Sequence, residues 1–138
     1  MGRRQSRELA LQMLFAAEFD QNDIRNAGLM VIQTSDADSE SKDFAKELFL
    51  GVLSSLDELD SIISKFLENW KLDRLFIIDR SILRLSLYEL KKIPDTPASV
   101  VIDQAVRMAK KFGNDDSSKF INGILGAIFR AGNEKNKD

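Results

Sequence analysis

What this sequence omits limits its chemistry most. Its 138 residues contain no His and no Cys. That removes the commonest general base, the commonest metal ligand and any thiolate nucleophile or disulfide. Acid/base work would fall to carboxylates, Lys, Ser or the single Tyr88. Two carboxylate groups stand out, Asp57, Glu58 and Asp60, and Asp36, Asp38 and Glu40. The first can cap a helix and the second sits in a polar stretch. Neither is accompanied by a second catalytic residue type or a Gly-rich phosphate loop, and no nucleotide-binding fingerprint is present. Both read as solvated surface. The expectation is a protein that is not an enzyme and holds no cofactor or metal.

Binding chemistry is better represented. The start, Met1-Gly2-Arg3-Arg4-Gln5-Ser6-Arg7, carries three Arg and no acid. With a helix beginning near Arg3, the spacing puts Arg4, Arg7, Leu11 and Phe15 on one face. Guanidinium groups grip phosphates bidentately, and an aromatic ring stacks on an unpaired base. Such a face suits single-stranded RNA. The plainer reading makes Leu11 and Phe15 core and the arginines a solvated chain start. A second candidate is Asn114-Asp115-Asp116-Ser117-Ser118-Lys119-Phe120. A helix start favours anions, and Lys119 adds charge, but Asp115 and Asp116 would repel a phosphate and cap the helix themselves.

Net charge is −2, unevenly spread. Residues 1–7 carry +3, residues 8–93 carry −6 and residues 94–138 carry +1. A polyanion finds local attraction at the start, while the acidic middle is left for another, basic partner. Glu8 follows the basic start at once and no apolar run comes after it, so no signal peptide is read. No stretch approaches the roughly 20 apolar residues needed to span a bilayer. The expectation is a soluble, cytoplasmic protein without membrane contact.

The elements that must position these residues all read as helices. Two prolines and seven glycines interrupt an apolar pattern of helical period. The first helix is expected over 6–19, with Ala10, Met13, Leu14 and Ala17 inward. A weaker one follows at 24–33, then a polar loop from Thr34 to Ser41. Phe44, Leu48, Val52 and Leu56 mark a third. Leu59, Ile62, Ile63 and Phe66 continue the spacing after a break near Asp57, and Trp70 closes the region. The strongest helix, 74–92, is apolar over more than one face, which predicts a central element buried on two sides. Ile93-Pro94 ends it. Thr96 as N-cap and Pro97 as first residue open the next helix, and Gly113 stops it. Asp116 or Ser117 caps the last one. Inside it, Gly123 and Gly126 suggest close packing, and Asn122 is either a surface contact or a buried hydrogen-bonding group. After Gly132 the tail reads as polar and frayed. The result is one all-α domain over 1–138, with six or seven helices.

Four blocks of this sequence resemble the NusB family, in family order and spacing. They are Arg7 to Phe15 (RELALQMLF), Ile82 to Leu90 (ILRLSLYEL), Ala105 to Gly113 (AVRMAKKFG) and Lys119 to Leu125 (KFINGIL), with Pro97 between the second and third. The resemblance runs from about residue 3 to 130. It implies two packed helical subdomains, roughly 3–66 and 67–132. It also implies a transcription antitermination factor that catalyses nothing. Such proteins pair with NusE, a small-subunit ribosomal protein, and bind single-stranded boxA RNA in nascent ribosomal RNA transcripts, helping RNA polymerase resist termination.

Carried over by position, the resemblance assigns RNA binding to Arg3, Arg4, Arg7 and Phe15, and to Asp116, Lys119, Phe120 and Asn122, as one surface. It assigns the NusE side to Asp79. Phe15 stands where tyrosine is common in the family, so stacking survives and a hydroxyl hydrogen bond is lost. The arm has only three Arg, and with few phosphate contacts RNA binding should be weak and salt-sensitive alone, tight only with NusE. Two rival readings stay open: a relative of the helical N-terminal domain of ribosomal RNA cytosine methyltransferases, and a protein–protein adaptor without RNA contact. Self-association, as a homodimer through the RNA surface, is also left open.

Overall fold

In the computed structural model, residues 2–68 and 71–136 are described; they form seven α-helices and one short 3-10 turn. In chain order these are α1 (Gly2–Glu18), α2 (Ile24–Thr34), α3 (Ser39–Ser54), α4 (Leu56–Lys65), the 3-10 turn (Leu72–Arg74), α5 (Ile77–Lys92), α6 (Ala98–Phe112) and α7 (Ser117–Asn136). No strand occurs among the described residues, in keeping with the all-α expectation. Trp70 lies outside them. The chain divides into two units, Met1–Leu56 and Asp57–Asp138. The division thus falls just after the first residue of α4, whereas the resemblance implied a boundary near residues 66 and 67.

In the first unit α1 packs on both α2 and α3. Its inward stripe is the expected one, Ala10, Met13, Leu14 and Ala17, joined by Leu9 and Leu11. From α3, Ala45, Leu48, Phe49 and Val52 are fully buried. The weak second helix carries Gly28 in its interior, which costs about 1 kcal/mol of helix propensity. The reason is steric: a Cβ at Gly28 would lie 2.1 Å from Cζ of Phe49. Polar groups fix the start of α3. The Asp38 carboxylate accepts from the Ser41 backbone N–H at 2.7 Å, and the Ser6 hydroxyl of α1 donates to the Ser41 carbonyl at 2.8 Å. The Asp38 cap holds that carboxyl below its ordinary range. The expected loop from Thr34 to Ser41 is shorter than read, because Asp38 starts a helix within it.

The second unit is built on a triangle of α5, α6 and α7. Ile82, Leu83, Leu85 and Leu87 of α5 are buried, as its wide apolar face predicts. Each large side chain so buried stabilises the fold by roughly 1.5–3 kcal/mol. Facing residues include Val101, Ala105 and Met108 of α6 and Ile121 and Leu125 of α7. The start of α5 differs from expectation. Residues 72–74 form the 3-10 turn and α5 begins only at Ile77, because the Arg80 guanidinium donates to the carbonyls of Leu72 and Asp73, at 3.4 and 3.3 Å.

Two carboxylates read as solvated surface have structural roles in this unit. Asp60 of α4 receives two hydrogen bonds from Arg84 of α5, at 2.8 and 2.9 Å. Glu58 lies 3.6 Å from Lys91 and 3.4 Å from Lys92. The exposed Glu58 pairs contribute little, whereas the bidentate pair is largely shielded and holds α4 to α5. Asp60→Ala is expected to lower unfolding free energy by about 1–3 kcal/mol, since it removes two charge-assisted hydrogen bonds from a partly buried guanidinium. Urea denaturation checks this, and an unchanged midpoint would show that the pair is idle.

Helix ends and glycines refine the sequence reading further. The N-cap of α6 is Pro97, not Thr96: its carbonyl accepts from Val100 and Val101 at 3.0 and 3.2 Å. At the start of α7 the Asp116 carbonyl accepts from the Phe120 N–H at 3.1 Å, and a side-chain network through Ser117, one of the two expected caps, and Asn114 closes the turn. The Ser117 hydroxyl accepts from the Asn114 N–H at 3.0 Å, and the Asn114 carbonyl oxygen of the side chain accepts from the Asp116 N–H at 3.0 Å. Gly113 stops α6 as expected, with φ −92. It is needed because a Cβ there would meet Ser117 at 2.4 Å. The tail after Gly132, read as frayed, stays helical to Asn136. Gly123 was expected to pack closely; instead a Cβ there would face open space.

Candidate nucleic-acid interface

The arginine face of α1 separates into an outer and an inner set. Arg3, Arg4 and Phe15 are exposed, while Arg7 and Leu11 are buried. Helical period explains this: the face centred on Arg4 and Phe15 recurs after about three turns, and Leu11 lies toward the core edge of the stripe. Arg7 is thereby removed from solvent and engaged within the protein. Arg3 is placed by an aromatic contact, its guanidinium 3.7 Å from the centre of the Phe44 ring. The cleft beside it, about 640 Å³, is lined by Asp38, Glu40, Asp43 and Glu47. Of the three arginines, Arg4 is the one most open to a phosphate. Phe15 carries a neighbour that sequence reasoning missed: Phe19, 67% exposed, meets it edge-to-face at 4.9 Å. The spacing of four residues was the available signal.

In the second unit Asp116, Lys119 and Asn122 are exposed and Phe120 is half-buried. Asn122 is therefore a surface group. Lys119 and Asn122 line one groove of about 810 Å³ between α6 and α7. Asp116 and Phe120 are not part of its lining. Lys110, from the last turn of α6, is, and it was not singled out from sequence.

Asp79, expected to face a protein partner, is buried in the first turn of α5. Its Oδ1 has no hydrogen-bond partner among the described residues. Burial pushes its carboxyl above the ordinary range, and a hydrogen bond from Ser117 offsets this only in part. A raised acid binds its proton in the folded state before the unfolded one does. Between about pH 4, the unfolded value, and the raised folded value, stability therefore falls as pH rises. Asp79→Asn is expected to remove that slope. Thermal denaturation across pH 4–8 checks this; an Asn variant that keeps the wild-type slope contradicts it.

Among the described residues no three His, Cys, Asp or Glu side chains gather as a metal site, and no helix is long and apolar enough to cross a membrane. Comparison with known proteins gives the family. The sequence matches the NusB family over residues 4–130. It is 45% identical to the transcription antitermination protein NusB of Bacillus pumilus over 128 residues, covering 93% of this chain and 95% of that protein. Its fold superposes on T. maritima NusB with a TM-score of 0.85 at 37% identity, covering 91% of this chain and 89% of the other. It also superposes on a chain in a crystal structure of antitermination factors NusB and NusE in complex with double-stranded RNA. There the TM-score is 0.86 at 27% identity, with 94% and 97% covered. The chain belongs to the NusB family, whose members are transcription antitermination factors rather than enzymes.

Proposed function

We propose that this protein binds the boxA element of nascent ribosomal RNA transcripts together with NusE, in the cytoplasm, and so keeps RNA polymerase transcribing through terminators. The observation that carries this reading is family membership over nearly the whole chain, with relatives named for antitermination. The chain's own surface supports it. Arg4 and Lys119 offer exposed cations, Phe15 an exposed ring and Asn122 an exposed amide able to read a base edge. Asp116, beside Lys119, can accept from an exposed base edge, and half-buried Phe120 supports the same turn. Arg3 and Arg7 then contribute more to holding α1 than to gripping phosphates.

NusE, basic as ribosomal proteins are, suits the acidic middle of the chain. For Asp79 to meet NusE, complex formation must uncover it. The test is single-round transcription past a terminator placed downstream of boxA, with RNA polymerase, NusE and the remaining antitermination factors present. Adding this protein should raise readthrough several-fold on the boxA template and not on one with boxA scrambled. Equal readthrough on both templates would refute the proposal.

A further inference from the structure

We infer that the groove between α6 and α7 is a binding site for one unpaired RNA base and its flanking phosphates. This goes beyond the RNA-binding reading above, on which it rests, by adding residues that the reading does not include. Ile102 and Val106 of α6 and Phe129 of α7 give the groove an apolar wall. Phe129 is 40% exposed, leaving apolar surface that a base could cover. Lys110 and Lys119 stand on the two helices that bound the groove, against a single lining carboxylate, Asp103. Asn122 brings an amide that both donates and accepts, as a base edge requires.

These properties match an extruded nucleotide: a flat apolar body, polar edges and anionic linkers. The volume of about 810 Å³ is within the range of roughly 300–1,000 Å³ typical of ligand sites, enough to accept a base without repacking. Charge selects the occupant. Two lysines repel a basic protein segment and attract a phosphodiester chain. The groove is also continuous with the expected RNA surface, because Lys119 and Asn122 belong to both.

Two variants separate this site from a general basic surface. Ser99→Trp fills the groove from its exposed rim without changing charge, and Lys110→Ala removes a cation that the family resemblance does not assign. Both positions are exposed, and circular dichroism confirms folding. Labelled boxA RNA is titrated by fluorescence anisotropy in the presence of NusE, and NusE binding is measured separately by calorimetry. Ser99→Trp is expected to weaken RNA binding about tenfold, the loss of roughly one stacked base. Lys110→Ala is expected to weaken it a few-fold and to shrink the slope of log affinity against log salt by about 0.7, with Lys110→Arg restoring both. NusE affinity should stay unchanged.

Wild-type RNA affinity in both variants, with Arg4→Ala still impaired, would overturn the groove and leave the wider reading standing. Loss of NusE binding instead of RNA binding would make the groove a protein site and overturn the inference. Absence of RNA binding in the wild-type protein would overturn both readings.

Discussion

Gly28→Ala lowers the unfolding free energy by about 2 kcal/mol, although alanine is the better helix former. Two effects of opposite sign compete. In an open helix the change would gain about 1 kcal/mol of propensity. Here the new Cβ falls 2.1, 2.5 and 2.7 Å from three ring atoms of Phe49. That ring is fully buried, so it has no free volume to turn into. Overpacking of this kind costs about 1–3 kcal/mol and at times more, and at such distances the upper end applies. The packing cost wins. Phe49→Leu in the same chain shortens the ring's reach and should return part of the loss. The two changes together then cost less than the sum of each alone, a coupling above about 1 kcal/mol. Urea denaturation of the four proteins in the cycle measures this. A Gly28→Ala protein as stable as wild type would mean that α2 shifts away from α3 at little cost.

The larger functional effect is expected from Arg4→Ala combined with Lys119→Ala. Both side chains are exposed, so folding should be untouched and the loss confined to RNA. Each phosphate contact with single-stranded nucleic acid contributes about 0.7 to the slope of log affinity against log salt. Removing two should flatten that slope by about 1.4 and weaken binding by more than tenfold at low salt. The loss should be similar for matched and mismatched RNA, because phosphate contacts carry little sequence information. Anisotropy titrations at several salt concentrations measure both quantities. A steep slope that survives the double change would place the phosphate contacts on other residues.

Legibility in the sequence followed physical scale. The α1 stripe and the wide apolar face of α5 were readable because apolar spacing records which side of a helix is buried. The stop at Gly113 was readable as well, though its cause was not. The glycine answers to Ser117, a contact formed only in the folded chain. Gly28 escaped notice for the same reason, since its partner Phe49 lies on another helix. Asp60 looked like solvated surface because nothing in its local pattern points to Arg84, which lies 24 residues on. Among the candidate binding residues, periodicity put Arg4, Arg7, Leu11 and Phe15 on one face of α1. It could not show that Arg7 is buried or that Arg3 lies over Phe44. Burial of Asp79 was equally hidden, because a charged residue early in a helix usually reads as a cap. Lys110 required knowing which sides of α6 and α7 meet.

The most direct test of the central claim is fluorescence anisotropy of labelled boxA RNA titrated with this protein, with and without NusE, against a scrambled RNA of equal composition. Binding that prefers boxA, tightens at least tenfold when NusE is added and weakens with salt is the expected result. Equal affinity for both RNAs, or no binding even with NusE present, would contradict it.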